Sequence, residues 1–270
     1  MDHQFFQSVY HLVHSSDLWV ILVFLLIFLP LCVELGFFIA RFCKRRGNGY
    51  AMTETIPSSI LGVHALLIGF TFSMSIDRYE VRRELVVKEA NAIGTAYLRS
   101  QILPREAAQK SKDQYSLYIK ELLQFGALTF DHKDLPSVQS DLGKIQDELW
   151  RIAKSTAKDS RSPMDAIYLQ SLNDMFDLHA ERWAALNNRL PLTVLALLLI
   201  TLAASLISFG FVEAAKNQKG GFWLFVLSVL FAVVLTMIID LDRPTRGFIT
   251  VSQAPLEELY KTVLSQESAE

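Results

Sequence analysis

The sequence predicts an all-α integral membrane protein, with four transmembrane helices arranged two on each side of a central water-soluble helical domain. Three observations predict it. Hydrophobic residues make up 51% and charged residues 20% of the 270 residues, yet almost all the charge falls within 77–189 and at the tail. Residues 18–42, 58–76, 190–214 and 221–241 are nearly charge-free, and each is long enough to cross about 30 Å of hydrocarbon. Between the second and third of these runs, apolar residues recur at helical spacing and hardly any strand pattern appears.

Residues 1–17 form an amphipathic segment at the membrane edge, with Ser15, Ser16 and Asp17 placed to cap the first span. That span, 18–42, contains Pro30, which bends a helix. It lacks a basic start and is too long for a signal core, and its positive charge comes after it at Arg41, Lys44, Arg45 and Arg46. It therefore reads as a retained anchor. Pro57, Ser58 and Ser59 open the second span, 58–76. No helix breaker separates this span from the charged residues after Ile76, so one long helix is expected from about residue 59 to 103. Pro104 ends it.

The extramembrane domain, 77–189, holds three further helical stretches, about 105–126, about 136–157 and one opening at Ser162 and Pro163. The middle one places Leu142, Ile145, Leu149 and Ile152 on one face, and the last carries Ile167, Leu172, Phe176, His179, Trp183 and Leu186. Helices with one apolar face each can bury a bundle core. The third and fourth spans, 190–214 and 221–241, are joined by a short link, and a tail, 242–270, contains a short amphipathic segment.

The net charge of −2 gives no bulk basicity for a nucleic-acid partner. Cys32 and Cys43 lie eleven residues apart on one helix, roughly 16 Å and too far for a disulfide. There is no phosphate-binding glycine loop, no HExxH and no nucleophile elbow, so no enzyme and no cofactor is expected. His11 and His14 have helical spacing, with His3 and Asp17 nearby, but no cysteine joins them. They read as interfacial anchors, not as a metal site.

Polar residues in a span are costly and usually face protein or water. The second span carries two tracks of them. Gly62, Leu66, Gly69, Ser73 and Asp77 form one, with Phe70 beside it, and His64, Ile68, Thr71, Ser75 and Arg82 form the other. Either these residues line a pore, where small residues leave room and hydroxyls replace ion hydration, or they allow close helix packing. Phe70 and Phe72 can make an apolar constriction or face lipid. Glu34 and His64 sit at similar depth and are expected to face each other, as a proton-sensitive gate or a structural hydrogen bond. Asp77 and Arg78 leave the second span at the level where Asp240, Asp242 and Arg243 leave the fourth. They form either an ion-selecting mouth or an interfacial salt-bridge network. Glu89, Asn91 and Gly94 read first as a helix or subunit contact and second as a ligand contact. His132 and His179 stand alone in the sequence.

Two stretches, LLIGFTFSMSIDRYEVRRELVVKEANAIGTAYLRSQILP (ending at Pro104) and DLDRPTRGFITVSQAPL (240–256), resemble the signature regions of the bacterial "bestrophin-like domain" family of unknown function. Their order and spacing fit that family, as does the four-span layout. The resemblance implies a bestrophin-like architecture and a distant kinship to bestrophins, which are pentameric ion channels. In those, the second span lines the pore and helical segments extend it as a funnel. It further implies a multi-pass protein of the bacterial inner membrane whose partners are lipid, ions and copies of itself. The sequence lacks the run of acidic residues that binds calcium in animal bestrophins, so calcium gating is not expected. The alternative function is a non-conducting membrane sensor or scaffold that binds a ligand or partner through the helical domain. The short links 41–58 and 213–220 carry Lys or Arg, which by the positive-inside rule places the helical domain outside. Bestrophins hold theirs in the cytoplasm.

Overall fold

The computed structural model describes residues 16–46, 54–127, 135–160, 162–216, 221–244 and 247–267. The expected amphipathic segment before Ser16, with its histidines, and His132 lie outside the described residues. Among the described residues all regular structure is helical: α1 (Leu18–Arg45), α2 (Thr55–Ser100), α3 (Arg105–Ala127), α4 (Leu135–Ser160), α5 (Pro163–Asn187), α6 (Leu192–Ala215), α7 (Gly221–Asp242) and α8 (Ala254–Glu267). Four helical stretches are long and apolar enough to cross a membrane, in α1, the first half of α2, α6 and α7. The protein is an all-α, multi-pass membrane protein.

The chain folds as two compact units. The first holds the described residues up to Asp77, Arg189–Arg243 and Gly247–Ile249. Its core is Leu25, Leu29, Cys32 and Val33 of α1, Leu198, Leu202 and Leu206 of α6, and Leu224, Ala232 and Leu235 of α7. Because lipid is as apolar as leucine, helices in a bilayer associate by close packing, and small residues permit it. Gly36 and Gly210 do so here. A Cβ on Gly36 would lie 2.1 Å from the Ile207 carbonyl oxygen, and one on Gly210 would lie 2.3 Å from that of Val33. Thr71, Ser75, Ser228 and Thr236 are buried and donate their hydroxyls to carbonyls one turn back on their own helices, at 2.7–3.0 Å. They leave no bare donor in an apolar medium. Pro30 is accommodated within α1.

The second unit holds Arg78–Asn188 and the segment from Thr250 onward, in their described residues. The face expected on α4 is the buried one: Leu142, Ile145, Leu149 and Ile152 are at most 5% exposed. Leu142, Ile145 and Leu149 pack with Ile93, Ala96 and Tyr97 of α2, Tyr115, Tyr118 and Ile119 of α3, Tyr168, Leu172 and Met175 of α5, and Leu256 and Val263 of α8. α5 buries Tyr168 and Met175, whereas Ile167 is exposed. Its start carries a capping box, with the Ser162 hydroxyl accepting from the Met164 amide and the Asp165 carboxylate accepting from the Ser162 amide. α2 ends in tight turns over 100–103, just before Pro104.

Candidate functional site

Helical geometry sets the two polar tracks of the second span about a third to half a turn apart, and the structure separates them completely. Gly62, Leu66, Gly69, Phe70, Ser73 and Asp77 are all exposed, with Leu66 at 60% and Phe70 at 64%. A Cβ on Gly62 or Gly69 would meet nothing within 4 Å. Their small size therefore serves no packing among the described residues. His64, Thr71, Ser75 and Arg82 of the other track are buried, and Phe72 is half-buried. The exposed line does not stop at Asp77. Glu80, Glu84, Asn91, Thr95 and Leu98 continue it at the same helical spacing along α2.

His64 does not pair with Glu34. Glu34 is exposed on α1, whereas Gly36, Cys32 and Val33 point inward. His64 instead places Nδ1 2.9 Å from the Thr201 hydroxyl of α6 and packs its ring edge-on against Phe231 of α7, with centroids 5.3 Å apart.

Two residues of the expected charge cluster, Asp240 and Asp242, accept from backbone amides. The Asp240 carboxylate accepts from the amides of Phe248 and Ile249 at 3.0–3.2 Å. Gly247, just before them, has φ +134°, and a Cβ there would collide with Asp240 Oδ1. Asp242 accepts from the Leu190 amide through both oxygens, at 2.9 and 3.0 Å. Leu190 precedes α6, where Pro191 is the N-cap residue and no side chain caps the helix. The two aspartates thus tie down the chain entering α6 and leaving α7. Arg243 is 4% exposed and acts on Asp240 electrostatically. Asp77 belongs to the exposed face instead.

In the helical unit, Glu89 is fully buried. One carboxylate oxygen lies 2.8 Å from His179 Nδ1, and the other accepts from the Arg182 guanidinium. Arg182 also donates to Gln253 Oε1 at 2.8 Å, and Gln253 heads α8. A Cβ on Gly126 would strike the Gln253 side chain at 2.6 Å, so that glycine makes the slot Gln253 fills. Burial pushes the Glu89 carboxyl up, but the His179 hydrogen bond and the Arg182 charge outweigh it and hold it below the ordinary glutamate value. The Tyr118 ring stands edge-on to His179, and burial together with the Glu89 charge pushes its hydroxyl well up. His179 is therefore not the isolated histidine the sequence suggests. Spacing gave one clue: His179 and Arg182 stand i, i+3 on one helix, a natural clamp for a carboxylate. Gly94 touches Leu259 of α8, with 3.3 Å between its Cβ position and the leucine methyl. Asn91 is exposed and takes no part in either contact.

A cleft of about 410 Å³ between α3 and α4 is lined by Pro104, Lys110, Arg151 and Ser155, among others. Both cations are already neutralised on their own helices, Lys110 by Glu106 and Arg151 by Glu148. Among the described residues, no group of His, Cys, Asp and Glu could hold a metal ion.

The Bestrophin-like domain family matches residues 21–256. A crystal structure of a bacterial bestrophin homologue from Klebsiella pneumoniae is similar, with TM-score 0.70 at 14% identity over 90% of this chain and 97% of that one. A point-mutant form of the homologue gives TM-score 0.72 at 14% identity, over 91% and 98%. No curated protein matches the chain. At such identity the structural likeness shows the fold, while the family match spans most of the sequence, and so the chain belongs to the bestrophin-like domain family.

Proposed function

We propose that the chain is one subunit of a homo-oligomeric ion channel in which the exposed face of α2 lines the path. The single observation that carries this reading is a mismatch. The span in α2 is the least apolar of the four, yet only 17% of it is buried within the chain, against 28–33% for the others. A glycine- and hydroxyl-bearing face turned to lipid has no reason to exist, and water or neighbouring copies suit it. Gly62 and Gly69 leave width, Ser73 offers a hydroxyl, Leu66 and Phe70 form an apolar ring when repeated around an axis, and Asp77 sets charge at one end. Family membership supports the same reading. The bestrophin resemblance points to five copies. No signature of enzyme chemistry competes with it.

Two signals oppose each other on orientation. Lys and Arg in the short links favour an outer helical domain, and the bestrophin resemblance favours a cytoplasmic one. A cysteine introduced at exposed Asn91 in a chain lacking Cys32 and Cys43, reacted with a membrane-impermeant maleimide on intact cells, separates them. For the function itself, the mass of the purified complex is decisive. A path lined by one helix per subunit requires several subunits around an axis. A monomer or a simple dimer in lipid nanodiscs overturns the reading and leaves a membrane sensor or scaffold.

A further inference from the structure

His64 is at 0% exposure inside the membrane bundle, and its hydrogen bonds can be counted atom by atom. Thr201 has one hydroxyl hydrogen. It goes to the carbonyls of Leu197 and Leu198 on its own helix, at 2.9 and 3.1 Å. The hydroxyl oxygen is then left to accept, and His64 Nδ1 stands 2.9 Å away to donate. That arrangement gives every donor an acceptor and makes His64 the Nδ1–H tautomer. The opposite tautomer would put an N–H on Nε2, which has no hydrogen-bond partner among the described residues. What remains is a bare lone pair on Nε2, buried among helices. Ionisable groups at such depth are costly and usually mark proton or ion pathways.

We propose that His64 Nε2 is a proton-binding site within the membrane bundle, and that proton uptake there loosens α2 from α6 and α7. Among the described residues, the groups recorded against the imidazole are the Thr201 hydroxyl of α6 and the Phe231 ring of α7, and neither titrates near neutral pH. α1 turns its Glu34 away. Among the described residues no ion pair and no hydrogen bond from a charged side chain reaches the ring. An imidazolium in this seat therefore lacks a counter-charge, and proton binding favours any arrangement that brings Nε2 to water. The open face of α2 that carries Gly62 and Gly69 lies about half a turn from His64, so Nε2 reaches water only where α2 parts from α6 and α7. Proton uptake stands on the bundle alone, and its effect on ion flux rests on α2 lining the path.

Nitrogen NMR of the full chain in liposomes, with labelled histidines and His64→Gln to assign the signal, tests the site directly. An unperturbed histidine titrates in the physiological range, and the scan runs past it, from about pH 8 to about pH 4. The expected result is an Nδ1–H tautomer at the upper end, with reversible protonation of Nε2 on acidification. Amide exchange in the membrane half of α2 should rise with it in the wild type but not in His64→Gln. Thr201→Val, which keeps the shape of the site, should weaken the Nδ1–H preference. An Nε2–H tautomer with its N–H on the Phe231 ring, or an imidazole that stays neutral throughout, overturns the proposal. Ion flux measured over the same range should lose its pH dependence in His64→Gln, and an unchanged dependence overturns the link to α2. Absence of flux beside an intact NMR titration leaves the proton site standing and counts against the channel.

Discussion

Glu89 and His64 lie on the same continuous helix and are both fully buried, but they are treated in opposite ways. Glu89, in the helical domain, is held by His179 and Arg182, and through Arg182 by Gln253. His64, in the membrane span, has one ring nitrogen bonded and the other bare. The difference comes from what each environment supplies. A domain surrounded by water can recruit charged partners from α5 and the C-terminal segment, and it turns a buried acid into a structural clasp. The membrane bundle supplies hydroxyls already committed to their own backbones, so a polar group there keeps an unspent valence. On the reading proposed above, the clasp serves stability and the open ring nitrogen serves proton binding.

The sharpest way to break that contrast is to remove the clasp. Arg182→Ala leaves Glu89 buried without its cation, and such losses cost about 3–5 kcal/mol. Thermal unfolding of the purified protein in detergent should show the largest fall of any single variant considered. A change near zero would mean the ion pair is decorative. Acid should act on the same clasp. Glu89 has its carboxyl lowered in the folded state, so its stabilisation is full above the ordinary glutamate value of about 4.5. It is lost as pH falls through the depressed value. Denaturant titrations of wild type and Glu89→Gln should differ at neutral pH and converge in acid.

In the membrane half, Gly36→Val tests packing where no charge is involved. The new side chain would meet backbone of α6, and overpacking of this kind costs about 1–3 kcal/mol. His64→Gln should be the mildest, at about 1 kcal/mol or less, because one neutral hydrogen bond is at stake. A cost for His64→Gln as large as that for Arg182→Ala would show that His64 is a structural group after all.

The fold class was legible because a bilayer sorts residues so strictly. Charge-free runs and the apolar face of Leu142, Ile145, Leu149 and Ile152 both arise from that sorting, and both appear in the structure. Spacing also divided the second span into two tracks, but it could not say which one faced inward. That depends on where α6 and α7 stand, and chains of α-helices encode it only through tertiary packing. The Glu34–His64 pairing failed for a related reason. Counting residues gives depth along a helix, whereas a contact also needs the right rotation, and on α1 the buried side is set by the Gly36 crossing with Gly210. Asp240 and Asp242 read from sequence only as members of a charge cluster, an ion-selecting mouth or a salt-bridge network, because charge is visible in a sequence and a waiting backbone amide is not. Gly247 was the available hint, since a positive φ marks a loop folded tightly over something.

The channel reading is tested most directly by ion flux through the purified protein in liposomes, with separate potassium and chloride gradients, comparing wild type with Ser73→Trp. Ser73 is exposed on the α2 face and touches no core, so the variant should fold. Flux in the wild type that the bulky residue blocks is the predicted result. Folded wild-type protein that passes no ion at neutral or acidic pH, or flux that Ser73→Trp leaves unchanged, would contradict the placement of α2 along an ion path.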